Sequence, residues 1–296
     1  MEKKQVLALG FFDGVHAGHG ALLRECRSIA DRLSCKAAAL TFASHPDALV
    51  FGAAPALINT PEDRELLLRR LYGMDSVLTL PFDRAMMTMA WQDFFALLLH
   101  KYHAAGLVCG HDFRFGDHGA GTAALLKAAA EKAGIPCTVI PEQKIQGITV
   151  SSTYIRTLLE AGDTQRAALF LGHPHILSGT VVHGRQLGRT IGIPTANLTL
   201  PPELLRMRMG VYACLAHVNG TAVPAVTNIG TRPTVGGSHL TVEPWLLGLD
   251  EDLYGKRLTL EFHKFLRPEK KFDSLEDLRR EIQKNAEQTL KFFGKC

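Results

Sequence analysis

The chain has 296 residues, 46% of them hydrophobic and 21% charged, with a formal net charge of +4. That length suits about two domains, each with its own core, and the composition excludes a disordered or fibrous chain. The weak, dispersed positive charge suits small anionic ligands and argues against nucleic acid, and no run reaches the ~18 apolar residues of a membrane span.

Six cysteines, at 26, 35, 109, 137, 214 and 296, form no C-x-x-C pair. Reduced thiols in a cytoplasmic protein are therefore expected, rather than disulfides or a zinc site. The first twelve residues imitate a signal peptide, but Asp13 ends the apolar run early and no cleavage-like site follows.

Residues 6–9 predict a short buried strand. Gly10-Phe11-Phe12-Asp13-Gly14-Val15-His16-Ala17-Gly18-His19 comes next, and then Leu22, Cys26, Ile29, Ala30 and Leu33 recur at helical spacing. A strand, a glycine-rich turn and a helix N-terminus aim backbone N–H groups at one spot, which favours phosphate. Gly14 and Gly18 allow close backbone approach. His16 and His19, three apart, are expected to face that spot together. No Gly-Lys-Ser/Thr follows, so this is not a Walker P-loop.

Residues 36–42 predict a second strand. It ends in Thr41-Phe42-Ala43-Ser44-His45-Pro46, at a strand's C-terminal end, where open α/β sheets bind ligands. Thr60-Pro61 opens a helix. Its buried face is expected to be Leu66, Leu67 and Leu71, with no functional role. Residues 77–80 predict a strand and 91–101 a helix with Phe94, Phe95, Leu98 and Leu99 inward.

The strand at 106–109 runs into Gly110-His111-Asp112-Phe113-Arg114-Phe115-Gly116. Asp112 suits a ribose or amide edge, and Phe113 and Phe115 suit the walls of an aromatic-ring site. A helix at 123–133 and a strand at 137–140 continue the alternation, which implies a parallel doubly wound sheet. In Ser151-Ser152-Thr153-Tyr154-Ile155-Arg156 the hydroxyls cap a helix or donate to phosphate. Arg156, one turn in, brings a planar charged fork. A short helix at 163–170 follows, and Gly172 and Pro174 punctuate a boundary.

The second half changes character. Residues 176–183, 211–218, 222–228, 240–247 and 257–265 predict strands, with turns such as 219–220 and 236–237 between them. An antiparallel sheet or small barrel is expected. Residues 274–293 predict a closing helix, capped by Ser274, with Leu275, Leu278, Ile282, Ala286 and Phe293 inward. Pro244 follows Glu243 and removes a ladder donor, so that strand is expected at an edge or bulged.

These motifs together resemble the bacterial bifunctional riboflavin kinase / FAD synthetase family. F-D-G-V-H-x-G-H is similar to its form of the nucleotidyltransferase H-x-G-H signature, and S-S-T-x-I-R and G-x-D-F-x-F-G match in order. Residues 184–197 resemble its G-x-x-x-G-R-x-x-G-x-P-T-A-N run, and 228–234 its N-I-G-x-R-P-T. Ser44, and Pro244-Trp245 after Glu243, depart from the family pattern.

The resemblance implies a Rossmann-like nucleotidyltransferase domain at 1–170. It also implies a small antiparallel β-barrel of riboflavin kinase type, with a closing helix, at 171–296. The chemistry implied is phosphorylation of riboflavin by ATP to FMN, then adenylylation of FMN to FAD with release of pyrophosphate. His16, His19, Ser152 and Arg156 would stabilise the leaving pyrophosphate. Glu243 would accept a proton from the flavin hydroxyl, and Thr195 and Asn197 would hold Mg²⁺. Gly10, Phe12, Asp13, Gly14, Gly18, His45, Asp112, Phe115, Ser151 and Thr153 would bind nucleotide or flavin in the first domain. In the second, Gly184, Gly188, Arg189, Gly192, Pro194, Asn228 and Arg267 would do so. The implied partners are riboflavin, FMN, FAD, ATP, ADP and pyrophosphate, with flavoenzymes as downstream recipients, and neither nucleic acid nor membrane. Two rivals stand beside this reading: one live domain with a weakened kinase, or a flavin-binding sensor without turnover.

Overall fold

Short apolar runs build the first sheet, and its three central strands are the ones buried on both faces. In the computed structural model, which describes residues 4–183, 192–234 and 237–295, β1 (Gln5–Leu9) leads to α1 (Ala17–Arg32), β2 (Lys36–Phe42), α2 (Asp47–Val50) and α3 (Pro61–Tyr72). β3 (Ser76–Leu80), α4 (Arg84–Met87), α5 (Trp91–His100) and β4 (Ala104–Gly110) follow. A ribbon of β5 (Arg114–Phe115) and β6 (Gly121–Thr122) precedes α6 (Ala123–Lys132) and β7 (Cys137–Ile140). A second ribbon pairs β8 (Lys144–Ile145) with β9 (Ile148–Thr149).

The five-stranded sheet runs β3-β2-β1-β4-β7, all parallel, with β1 at its centre. Val6, Leu7, Ala8 and Leu9 are fully or almost fully buried. From β1 the chain moves to one side of the sheet and later returns to β4 on the other. Such a reversal leaves a crevice outside the C-terminal ends of the two strands. The loops at Gly10 and Gly110 both start there.

One expectation about this unit is corrected. Helix α3 buries Asp63, Arg64, Leu67 and Leu68, whereas Leu66 is 39% and Leu71 42% exposed. Counting leucines mistook the helix face by about one residue.

The remaining elements are α7 (Ser152–Ala161), α8 (Thr164–Leu171), β10 (His175–Val182), β11 (Asn197–Thr199), β12 (Gly210–Val218), β13 (Thr221–Thr234), β14 (Gly237–Leu246), β15 (Arg257–Arg267) and α9 (Leu275–Phe292). The strands close a barrel in the order β10-β11-β14-β13-β12-β15, antiparallel throughout. Ser274 caps α9 through Oγ, which accepts from the Asp277 N–H at 3.1 Å. Leu275 is 64% exposed rather than inward: it opens the helix and borders a cavity instead of packed side chains.

Strand β14 is neither an open edge nor bulged in its ladder with β13. Its other neighbour, β11, meets it at one register pair, Leu198↔Val242. Pro244 lies past that pair, and its carbonyl accepts from the Ala196 N–H at 2.9 Å. The short partner tolerates the proline as an edge would.

By contact density the chain divides into two units, Met1–Leu57 with Pro61–Ser152, and Ile58–Thr60 with Thr153–Cys296. Within the second, the Asn59 side-chain amide donates to the Ile176 carbonyl at 3.1 Å.

Candidate active sites

The loop after β1 is held in a costly conformation. Phe12 has φ 59° and Val15 φ 44°, left-handed values that cost a non-glycine residue about 1–3 kcal/mol each. Both side chains are fully buried, and burying them offsets that cost at about 1.5–3 kcal/mol apiece. A Cβ at Gly10 would sit 3.1 Å from the Phe12 ring, so position 10 has no room for a side chain unless that ring moves.

The strained turn delivers two imidazoles to one place. His16 is the N-cap of α1, and its Nδ1 accepts from the His19 N–H at 3.2 Å. The two rings stack at 3.5 Å, and the Phe12 ring meets His19 edge-on at 5.2 Å. Burial, then the neighbouring His16, then Arg64 push the His19 imidazole well below its usual pKa.

His16, Gly18, His19, Asp112, Ser151 and Ser152 line one cavity of about 360 Å³ at the C-terminal ends of β1 and β4. Ser152 Oγ donates to the Asp13 carbonyl at 2.9 Å, which ties the start of α7 to the loop. Arg156 lies one turn further along that helix, half-buried, and Thr153 is exposed.

Other predicted residues build the site's surroundings. Gly10, Phe12, Asp13 and Gly14 shape the loop without lining the cavity. His45 accepts from the Asp47 N–H at 3.2 Å and its ring meets Phe11 at 4.6 Å. Phe115 belongs to the hydrophobic core, 7% exposed, packed on Phe94 at 5.4 Å and Phe113 at 5.5 Å.

Arg64 was missed in the sequence. Only 1% exposed, it donates from Nη1 to the Phe11 carbonyl and from Nη2 to the Phe42 carbonyl, each at 2.8 Å. Burial lowers its pKa to about 10, with Asp13 and Glu62 opposing.

In the barrel, Thr195, Asn228, Glu243, Trp245, Arg267 and Phe272 line a cavity of about 330 Å³. The β13–β14 register sets Asn228 opposite Glu243. Arg267 Nε donates to Asn285 Oδ1 at 3.0 Å and lies 3.6 Å from a Glu281 oxygen, so α9 braces it. A second cavity of about 550 Å³ takes in Gly192, Pro194, Thr195, Asp252 and Tyr254. Thr195 borders both cavities. Asn197 lies two residues on, in β11, lining neither. Gly184, Gly188 and Arg189 lie outside the described residues. Asn285, 2% exposed, was missed in the sequence; it lies on the buried face of α9 with Ala286 and Thr289.

Among the described residues no helix is long and apolar enough to cross a membrane. The FAD synthetase family model matches residues 1–154, and the riboflavin kinase model residues 171–293. The bifunctional riboflavin kinase/FMN adenylyltransferase of Bacillus subtilis (strain 168) is 32% identical, over 99% of this chain and 94% of its own length. That of Escherichia coli (strain K12) is 36% identical, over 98% and 93%. A crystal structure from Streptococcus pneumoniae, described as a macrolide-efflux protein, superposes with a TM-score of 0.86 at 28% identity, covering 98% of this chain and 94% of that one. With relatives this similar matched from end to end, and a family model on each half, the chain belongs to the bifunctional riboflavin kinase/FMN adenylyltransferase family.

Proposed function

We infer that this chain makes FAD in two steps. ATP phosphorylates riboflavin to FMN, and a second ATP adenylylates FMN to FAD with loss of pyrophosphate. The observation that carries this reading is a cavity in each unit with its own polar groups: one built on His16, His19 and Ser152, the other a mainly apolar cavity that carries Thr195 and Glu243. We assign residues 1–170 to adenylyl transfer and 171–296 to the kinase step.

In adenylyl transfer an FMN phosphate oxygen attacks the ATP α-phosphorus and pyrophosphate leaves. His16 Nδ1 is an acceptor from the backbone, so Nε2 carries the proton and is the donor for phosphate oxygens. The Ser152 hydrogen rests on the Asp13 carbonyl. Turning it to a phosphate replaces that bond by a stronger, charge-assisted one. His19 and Arg156 add positive charge or donors as charge builds on the leaving group.

In the kinase step Glu243 takes the proton of the flavin 5′-hydroxyl. The Thr195 hydroxyl and Asn197 amide oxygen are hard donors that fit Mg²⁺ beside phosphate and water. No group of three His, Cys, Asp or Glu suited to a metal occurs among the described residues. When bound, Mg²⁺ neutralises phosphate charge. Both steps consume ATP, which fits a cytoplasmic setting.

Chromatography after incubation with riboflavin, ATP and Mg²⁺ tests the reading. FMN should appear first and FAD after it, with ADP and pyrophosphate. Failure to convert riboflavin, or supplied FMN, would overturn the corresponding step.

A further inference from the structure

We propose that Arg64 is a positioning residue for adenylyl transfer, its buried guanidinium clamping the Phe11 and Phe42 carbonyls and thereby fixing the loop that presents His16 and His19. The inference rests on the adenylyl-transfer reading of that loop.

A fully buried guanidinium is expensive unless its donors are used. Nothing in the packing of α3 asks for one there. Leu67 and Leu68 complete the same buried face, and a leucine or methionine would cover comparable area. What the arginine adds is reach in two directions. One fork joins the carbonyl that follows β1 to the carbonyl that ends β2. A lysine ammonium, a point charge, does not match that planar geometry.

The Phe11 end is held in three ways. Its carbonyl also accepts from Thr41 Oγ1 at 2.9 Å. Its ring lies 4.4 Å from the Arg64 guanidinium and 4.6 Å from the His45 ring. The clamped carbonyl immediately precedes Phe12, the first of the left-handed residues. Strained backbone persists only where its surroundings over-determine it. Releasing the clamp would let the turn relax, and the stacked histidines would move with it. Asp13, 3% exposed, faces the guanidinium electrostatically and supplies the carbonyl for Ser152. Arg64 is 1% exposed, so it acts through these groups and not on substrate.

The test compares Arg64→Met and Arg64→Lys with wild type and His19→Ala in the full chain. Both reactions are measured on each preparation, with FMN supplied for the second. Arg64→Met should lower kcat for FMN adenylylation about 10²-fold, as a small misplacement of donors does. KM for FMN and ATP should change less than kcat, and riboflavin phosphorylation should be unchanged. Arg64→Lys should recover only part of the rate. Full adenylylation in folded Arg64→Met, or full recovery in Arg64→Lys, would overturn the clamp, as would equal losses in both reactions. Should Arg64→Met fail to fold, Arg64→Lys decides alone. If His19→Ala also adenylylates normally, the reading of the site fails and the clamp with it. If only the Arg64 variants do, the clamp alone fails.

Discussion

His16 and His19 stack almost face to face, ring centroids 3.5 Å apart and planes 9° from parallel. Burial first, and then the repulsion that a second imidazolium charge at that distance would meet, keep His19 neutral well below the ordinary value of 6.5 in the free protein. A bound polyanion reverses the balance and raises the pKa. NMR titration of the imidazole signals should show one resonance, absent in His19→Ala, that titrates well below 6.5. Pyrophosphate should move it upward. No movement at saturating pyrophosphate would mean that His19 does not meet the anion.

The two activities should separate by mutation. His19→Ala should lose about 10²–10³ in the rate of FAD formation, the typical effect of one charge-stabilising donor, and still phosphorylate riboflavin. Glu243→Gln should slow riboflavin phosphorylation by about 10²–10⁴ and still adenylylate supplied FMN. Both products are measured for both variants after circular dichroism. Loss of both reactions in either folded variant would refute the division of labour.

Trp245 borders the same cavity as Glu243 and Phe272. The proline between Glu243 and Trp245 leaves them on one strand face. Riboflavin should therefore quench tryptophan emission in a Trp91→Phe background, corrected for flavin absorbance. Unchanged emission at saturation would remove Trp245 from the flavin's surroundings.

Acid should weaken the barrel unit through His175. Its Nδ1 is buried without a hydrogen-bond partner, and burial, with His173 second, lowers its pKa from 6.5 to about 3. Between those values the unfolded chain binds a proton that the folded one refuses. Stability therefore falls as pH drops through this window, by about 1.4 kcal/mol per unit for one group. His175→Phe should flatten urea-unfolding stability against pH by about one proton in that range. Parallel curves for variant and wild type would contradict this.

Much of the fold was legible because its signals are local. The strands of the parallel sheet are continuous apolar runs, and the caps at Ser274 and Asp163 follow ordinary side-chain chemistry. The His16–His19 cluster was legible because turn, glycines and helix start lie within ten residues. Arg64 was not, because its partners Phe11 and Phe42 are 53 and 22 residues away, and an arginine among leucines reads as a solvated face. Phe115 shows the converse: an aromatic beside a motif loop looks like a ligand wall, while its neighbours Phe94 and Trp91 come from a helix the motif does not contain. Strand β11, three residues long, is too short for any periodicity to register.

Residues Ile58–Thr60 group with the barrel although they precede α3. A fragment beginning at residue 171 would thus be missing two pieces of its own unit, residues 153–170 and residues 58–60, the second carrying the Asn59 amide that donates to the Ile176 carbonyl in the first barrel strand. Dissection at a sequence boundary would strip a buried backbone acceptor of its donor. The intact chain is the proper starting material for studying the kinase half.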